Sequence, residues 1–531
     1  MKSPTLSSKS SLFLLGFLTI LLRYPITPTP TGTDNFYYIT MAKSVILSGK
    51  IVWAENILSV YGLFPGTTPL GSTLLASTIV SITGLSIFEY ILIHTLSLSL
   101  ISTFGFFMLT GELTDNFRSR WFATLCFSFA PRFITFSLWS ISLRFSFIAL
   151  LPFFIWLLLR LSHTKYGRHP FRIISLILLL GIMLPSLHRM ALLFPGILLA
   201  FVMSVLCYYW QENATNRERA GRQVLGFLLF LSGYLFYLQY LDFSPYSPDD
   251  EIIGVYFFSG IGIFSAMFNL IMYYMINVGP FLFISILGIV FWVQKGRVSQ
   301  GYFFSMSYLA LSFFVISDLI YIPYLVTFGI LLLIVPGIDF FIDNLEDSPN
   351  RLAVLLAVFT ILVSSFSYYD LDYRVNAHER EEVYYTYYVR ESSISTSQWM
   401  ESNLEDSILE SNDQKRERRL AAYSNMVAIQ DSKELSSGLI SLDDMEIKRI
   451  SLKDLYWKSQ DHLWGWNNSS SLSYDIQKNV SISIVNLGMP DSSGKSSTLS
   501  IITNPYYESM PDFTYRIYSN DELAAYWTLD Y

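Results

Sequence analysis

Apolar residues recur along the first 370 positions in runs close to the roughly 20 that a helix needs to cross a bilayer. Such runs fall at 11–27, 87–110, 121–139, 143–161, 173–188, 190–210, 223–241, 278–294, 301–317, 322–341 and 352–369. Two further apolar stretches lie at 67–84 and 256–277. The polar positions between the runs orient them, because cytoplasmic loops carry an excess of Lys and Arg. Basic residues gather at Lys2 and Lys9, at Arg118 and Arg120, at Arg160 to Arg172, at Arg217 to Arg222, and at Lys295 and Arg297. Placing all of these inside requires an odd number of spans between the first run and residue 118. The stretch 67–84, rich in Gly, Ser and Thr, is therefore read as part of an external loop over 28–86. By the same parity 242–277 is an outer-face segment, which suits Asp249, Asp250 and Glu251.

The expected fold class is mainly α: a polytopic transmembrane helix bundle of about 11 spans, N-terminus inside, occupying 1–370. From about 370 the pattern changes. Charges become dense at Glu379-Arg380-Glu381-Glu382 and Lys415-Arg416-Glu417-Arg418-Arg419. A helical piece is expected near 393–412, and β-rich pieces at 423–430, 481–487 and 497–503. Residues 371–531 are thus expected to form a soluble α/β domain on the outer side, where the Asn467, Asn468 and Asn479 sequons meet the glycosylation apparatus if one is present. The first run is Lys-flanked, lacks a small-x-small cleavage site and is followed by Arg23-Tyr24-Pro25, so it reads as an uncleaved span.

Composition sharpens this picture. The 531 residues are 52% hydrophobic, 17% aromatic and 15% charged, against about 25% charged in soluble chains. A soluble enzyme and a disordered protein are excluded for the whole chain. A formal net charge of −7 provides no basic field for nucleic acid. Two cysteines, Cys126 and Cys207, make neither a disulfide framework nor a thiolate metal site.

The external loop is the most informative segment. It opens with Pro28-Thr29-Pro30-Thr31-Gly32-Thr33 and continues Asp34-Asn35-Phe36-Tyr37-Tyr38. Apolar and aromatic residues recur at helical spacing from Phe36 to Leu47, and Gly49 is a natural stop. Asp34 then sits at or near a helix N-cap, where Asp is favoured for its own backbone bonding. A carboxylate in a partly apolar, aromatic setting is also a good general base. A second cluster runs from Pro131-Arg132 to Leu143-Arg144, an outer-face hairpin with two arginines at headgroup level. Guanidinium suits bidentate phosphate binding, and it also snorkels to lipid headgroups. His188-Arg189 follows Pro185 at another outer turn, as a polar helix cap or as a further phosphate or sugar contact. Glu89 and His94 are ionisable residues in a span with no evident partner, and Asp318 lies beside Tyr321 and Tyr324. Phosphate-loop, HExxH and GxSxG motifs are absent, as are clusters of mid-span carboxylates.

Taken together, Thr33-Asp34-Asn35-Phe36-Tyr37-Tyr38, the Pro-containing Leu63-Phe64-Pro65-Gly66-Thr67-Thr68-Pro69-Leu70 and the hairpin from Pro131-Arg132 to Arg144-Phe145 resemble the GT-C membrane glycosyltransferases. These include the catalytic subunit of oligosaccharyltransferase, protein O-mannosyltransferases and the lipid A aminoarabinose transferase. The resemblance covers about 1–370. It implies transfer of a sugar from a polyprenyl-phosphate carrier in the bilayer to a glycan, lipid or protein acceptor on the outer face. It makes Asp34 the general base, Arg132, Arg144 and Arg189 candidates to hold the phosphate, His188 a neighbouring contact, and Tyr37 and Tyr38 sugar-stacking aromatics. Oligosaccharyltransferase-type enzymes carry two acids in the first loop and further acids in the hairpin to hold a divalent metal. Here Asp34 has no acid beside it and the hairpin has no carboxylate, so neither a metal nor another cofactor is expected. The alternatives are a GT-C-like protein without catalysis and a flippase of lipid-linked sugars.

Overall fold

The computed structural model describes residues 8–25, 27, 29–48, 71–162, 170–242, 263–295, 298–312 and 322–345, with 351, 358, 361–362, 389, 391–403, 408–411, 419, 422–424, 427–428, 480–486, 514–519 and 523–529 of the C-terminal part. The run at 352–369 lies almost wholly outside these residues, as do Asp318, the Asn467, Asn468 and Asn479 sequons, and the piece at 497–503. The described part is mostly helical, in two compact units that divide within one helix between His94 and Thr95.

Unit 1 comprises Met1–Tyr24, Thr95–Leu138 and Leu143–Tyr373. Its helices are α1 (Ser8–Arg23), the main part of α4 (Ile87–Thr110), α5 (Phe117–Phe129), α6 (Pro131–Phe136), α7 (Leu143–Ser162), α8 (Pro170–Leu187), α9 (Phe194–Asn213), α10 (Arg217–Asp242), α11 (Ile263–Val278), α12 (Leu282–Lys295), α13 (Gln300–Ser312) and α14 (Ile322–Leu345). Among the described residues, four helical segments are long and apolar enough to cross a membrane: Ile87–Thr110, Leu143–Ser162, Phe194–Asn213 and Tyr324–Asn344. The last is almost wholly packed inside the protein, whereas Phe194–Asn213 turns Leu199, Leu206 and Tyr209 outward. Such an outward apolar face is the surface a bilayer solvates. The chain is a membrane protein.

The expected single run at 121–139 is broken. Pro131 has no N–H to donate, and Ala130 before it is extended at φ −60 and ψ 123, so α5 ends and α6 begins there. Asn116 caps α5 by accepting from the Arg118 N–H at 3.0 Å. Among the described residues α12 and α14 approach closely. A Cβ on Gly288 would run into the Leu333 carbonyl, and one on Gly337 into the Ile284 carbonyl. Hydrogen in place of a side chain lets these backbones touch, the usual device where lipid offers no hydrophobic drive for association. Around this pair Trp292, Phe303, Phe304, Phe328 and Leu331 are fully buried.

Arg23, at the end of α1, is buried yet meets no carboxylate among its described partners. Its Nε donates to Ser137 Oγ at 2.7 Å, one terminal nitrogen to the Ser128 carbonyl at 2.8 Å and the other to the Thr19 carbonyl at 3.4 Å. The guanidinium therefore ties α1 to both ends of the α5–α6 break.

Unit 2 comprises Pro25–His94, Trp139–Ser142 and Arg374–Tyr531. It holds α2 (Thr33–Ser48), α3 (Gly71–Thr83), the first residues of α4, α15 (Glu391–Asn403) and a mixed sheet. The sheet order is β2-β1-β3-β5-β4, with β1 (Ile408–Ser411), β2 (Val427–Ala428), β3 (Val480–Asn486), β4 (Thr514–Ser519) and β5 (Leu523–Leu529). β1 runs parallel to β2 and β3, and β5 runs antiparallel to β3 and β4. The helical piece expected over 393–412 stops at Asn403; Ile408–Ser411 pairs as β1 instead. β1 lies between β2 and β3, and pairing on both sides satisfies its backbone groups in the extended state.

Candidate functional site

The sequence points to the start of α2, and the geometry there is built from short-range rules. Gly32 has φ +84, a conformation that costs glycine nothing, and α2 begins at the next residue. Asp34 is the second residue of α2, at the positive end of the helix dipole. The side chains of Asp34 and Tyr37 lie outside the described residues. Asn35, Phe36, Ile39 and Ala42 are buried, and Phe36, Ile39 and Ala42 share a core with Ala76 of α3, with Ile87, Tyr90 and Ile91 of α4, and with Ile141, Val389 and Ala422. Tyr38 packs on the edge of that core.

Four residues of the hairpin, Trp139–Ser142, cross this unit as a strap. The Thr31 N–H donates to the Trp139 carbonyl at 3.1 Å, and the Ile141 N–H donates to Asn35 Oδ1 at 2.8 Å. The Trp139 indole donates to the Phe88 carbonyl at 3.1 Å. Trp139 itself sits at φ +32, the one described non-glycine residue with positive φ. A bulky residue there carries strain of about 1–3 kcal/mol, which the three hydrogen bonds around it sustain.

The C-terminal part returns to the same place. Thr29 Oγ1 accepts from the Val389 N–H at 2.9 Å and donates to the Val389 carbonyl at 3.1 Å. Tyr423 stacks on Phe88 at 4.6 Å and lies 6.2 Å from Phe36, and the Arg419 guanidinium is 5.9 Å from the Phe36 ring. Burial pushes the Tyr423 phenol upward, opposed by its bond with Thr29 and by Arg419. Burial also pulls Lys43 of α2 below the usual lysine value, against the pull of Glu401. Asn35, Trp139, Arg419 and Tyr423 were not legible as site residues. Each is a common residue type, and what sets it apart is a partner about 50 or more positions away.

In unit 1 the structure brings two predicted residues together. The Arg132 guanidinium lies 4.2 Å over the Tyr324 ring and 5.7 Å from Phe136, and Arg144 lies 5.8 Å from the same Phe136. Two cations thus share one aromatic ring, with Arg132 stacked as guanidinium prefers. His188 is buried and caps the 3₁₀ turn Arg189–Leu193 by accepting the Met190 N–H on Nδ1 at 3.0 Å. The Arg189 side chain lies outside the described residues.

The lack of partners expected for Glu89 and His94 is corrected. Glu89 accepts from the Ser86 N–H at 2.8 Å and from its hydroxyl at 2.9 Å while the Ser86 hydroxyl accepts from the Glu89 N–H, a capping box at the start of α4. His94 Nδ1 meets the Tyr90 hydroxyl at 3.2 Å. Among the described residues no three His, Cys, Asp or Glu side chains come together.

No family model matches the sequence, and no curated protein matches it either. Solved structures do. The Archaeoglobus fulgidus oligosaccharyltransferase in complex with Zn and sulfate superposes with a TM-score of 0.54 at 12% identity, over 89% of this chain and 68% of that one. The same archaeal oligosaccharyltransferase, AglB, in complex with an inhibitory peptide and a dolichol-phosphate gives 0.52 at 12% identity, over 90% and 69%. At that identity the likeness is one of fold. The chain shares its fold with the archaeal oligosaccharyltransferase AglB.

Proposed function

We propose that this protein transfers a sugar from a polyprenyl-phosphate carrier to an acceptor hydroxyl on the outer face of the cell membrane. The observation that carries the reading is the fold shared over nine-tenths of the chain with an oligosaccharyltransferase whose structure holds a dolichol-phosphate. The paired guanidinium groups of Arg132 and Arg144 at Phe136 support it. In this reading 1–370 forms about 11 spans with the N-terminus inside, and 371–531 is an external domain.

The chemistry follows from charge. Asp34 removes the proton of the acceptor hydroxyl as its oxygen attacks the anomeric carbon. The bond from that carbon to the phosphate oxygen breaks from the opposite face, so the configuration inverts. The phosphate leaves with the bonding electrons, and Arg132, Arg144 and Arg189 stabilise the charge that develops on it. Tyr37 and Tyr38 offer ring faces to the sugar, and His188 orders the turn that bears Arg189.

The test is incorporation of radiolabelled sugar from polyprenyl-phosphate monosaccharides into membranes carrying wild type or Asp34→Asn. Asn cannot accept the proton, so the rate should fall by about 10²–10⁴-fold with protein level unchanged. Equal incorporation in both removes Asp34 from the base role. No incorporation from any donor points to a non-catalytic protein, and carrier translocation without an acceptor to a flippase.

A further inference from the structure

The hairpin 131–144 bears Arg132 and Arg144, and the residues between them carry no charge. The structure gives Trp139–Ser142 hydrogen bonds on both sides of Asp34. Thr31, three residues before Asp34, donates its N–H to the Trp139 carbonyl. Asn35, the residue after Asp34, accepts the Ile141 N–H on its side chain. The orientation of that amide is settled by chemistry: a backbone N–H only donates, so Oδ1 faces it. Asn35 is 2% exposed and Ile141 fully buried, so water does not compete for this bond. The strap is anchored at its far side by the Trp139 indole on the Phe88 carbonyl, and Trp139 holds a backbone conformation at φ +32 that it would leave if released.

We propose that Asn35 and Trp139 are positioning residues for Asp34, and that the strap 139–142 fixes the first turn of α2 so that the carboxylate is presented in one place. The inference rests on the base role proposed above for Asp34. Neither residue touches the reacting atoms. Both act through the backbone that carries the carboxylate, and displacement of a catalytic group by an ångström is enough to slow a reaction about 10²-fold.

Asn35→Leu keeps the size of the side chain and removes the acceptor. Asn35→Asp keeps an acceptor for Ile141. Trp139→Phe keeps the ring and removes the bond to Phe88. Transfer rates are measured on the alkaline plateau of the pH profile, so that the extra charge of Asn35→Asp does not hold Asp34 protonated. Amide hydrogen exchange of 31–36 and 139–142 is followed in the same purified full-length proteins. Asn35→Leu should lose about 10- to 100-fold in kcat with the donor KM unchanged, and exchange at Ile141 should accelerate. Asn35→Asp should restore both, and Trp139→Phe should fall between. Unchanged rate and exchange in Asn35→Leu would overturn the proposal, as would faster exchange that leaves kcat unchanged. Should wild type transfer no sugar at all, the proposed function fails by itself. The exchange arm then still decides the strap: Ile141 protection equal in wild type and Asn35→Leu sinks it.

Discussion

A buried arginine with only neutral acceptors is costly unless its donors are met, since desolvating a charge is expensive and hydrogen bonds to it are each worth about 1.5–3 kcal/mol. Arg23 meets this condition with Ser137, Ser128 and Thr19, which lie on α1 and around the α5–α6 break. The planar fork reaches two directions at once, and a lysine ammonium on a flexible stem cannot reproduce it. Arg23→Leu should therefore cost about 1–3 kcal/mol, because it removes the donor to the Ser128 carbonyl in a buried site and leaves the Ser137 hydroxyl with its bond to the Ile134 carbonyl. Arg23→Lys should recover less than half of that. Thermal unfolding in detergent reads both, and an Arg23→Leu protein as stable as wild type would show that the fork holds nothing. Arg23 stands in the sequence as the polar end of a span. Its role was hidden because Ser137 is 114 positions away, and no local pattern connects them.

Among elements, α12 and α14 make the most exacting contact. Gly288 and Gly337 each face a backbone carbonyl of the other helix, so no rotamer change can relieve an added carbon. Gly337→Val should cost about 1–3 kcal/mol or prevent assembly of the bundle, whereas Gly226→Ala, with open space around it, should be nearly silent. Equal yield and melting temperature for the two variants would contradict this packing. Element positions were the most legible part of the sequence. The apolar runs at 87–110 and 143–161 coincide with α4 and α7, because a long uninterrupted apolar stretch admits little besides a helix. The run at 121–139 misled for the opposite reason. Hydropathy sees Pro131 as one more apolar residue, while the backbone sees a missing donor. The candidate residues were legible in their charges and not in their supports. Arg132 and Arg144 stand out because charges are scarce at membrane depth, and the structure sets both at Phe136. Asn35, Trp139 and Tyr423 are held by partners that only the fold assembles.

For the whole molecule, the reaction proposed above requires the start of α2 and the C-terminal part to lie on one side of the membrane. The structure already ties them within unit 2, through Thr29 to Val389 and through Phe36 to Tyr423. The proposed orientation takes the side from charge: the first turns of α10 hold Arg217, Arg219 and Arg222, a cytoplasmic signature. Two surface positions test the assignment. Ser395 lies exposed on α15, and Glu218 lies exposed at the start of α10. With Cys126 and Cys207 replaced, Ser395→Cys should react with a membrane-impermeant maleimide in intact cells, and Glu218→Cys only after permeabilisation. The reverse pattern would put Asp34 on the cytoplasmic face, where the proposed outer-face acceptor cannot reach it. Labelling of both from outside would show that an odd number of spans does not separate them, and the count of about 11 would have to change.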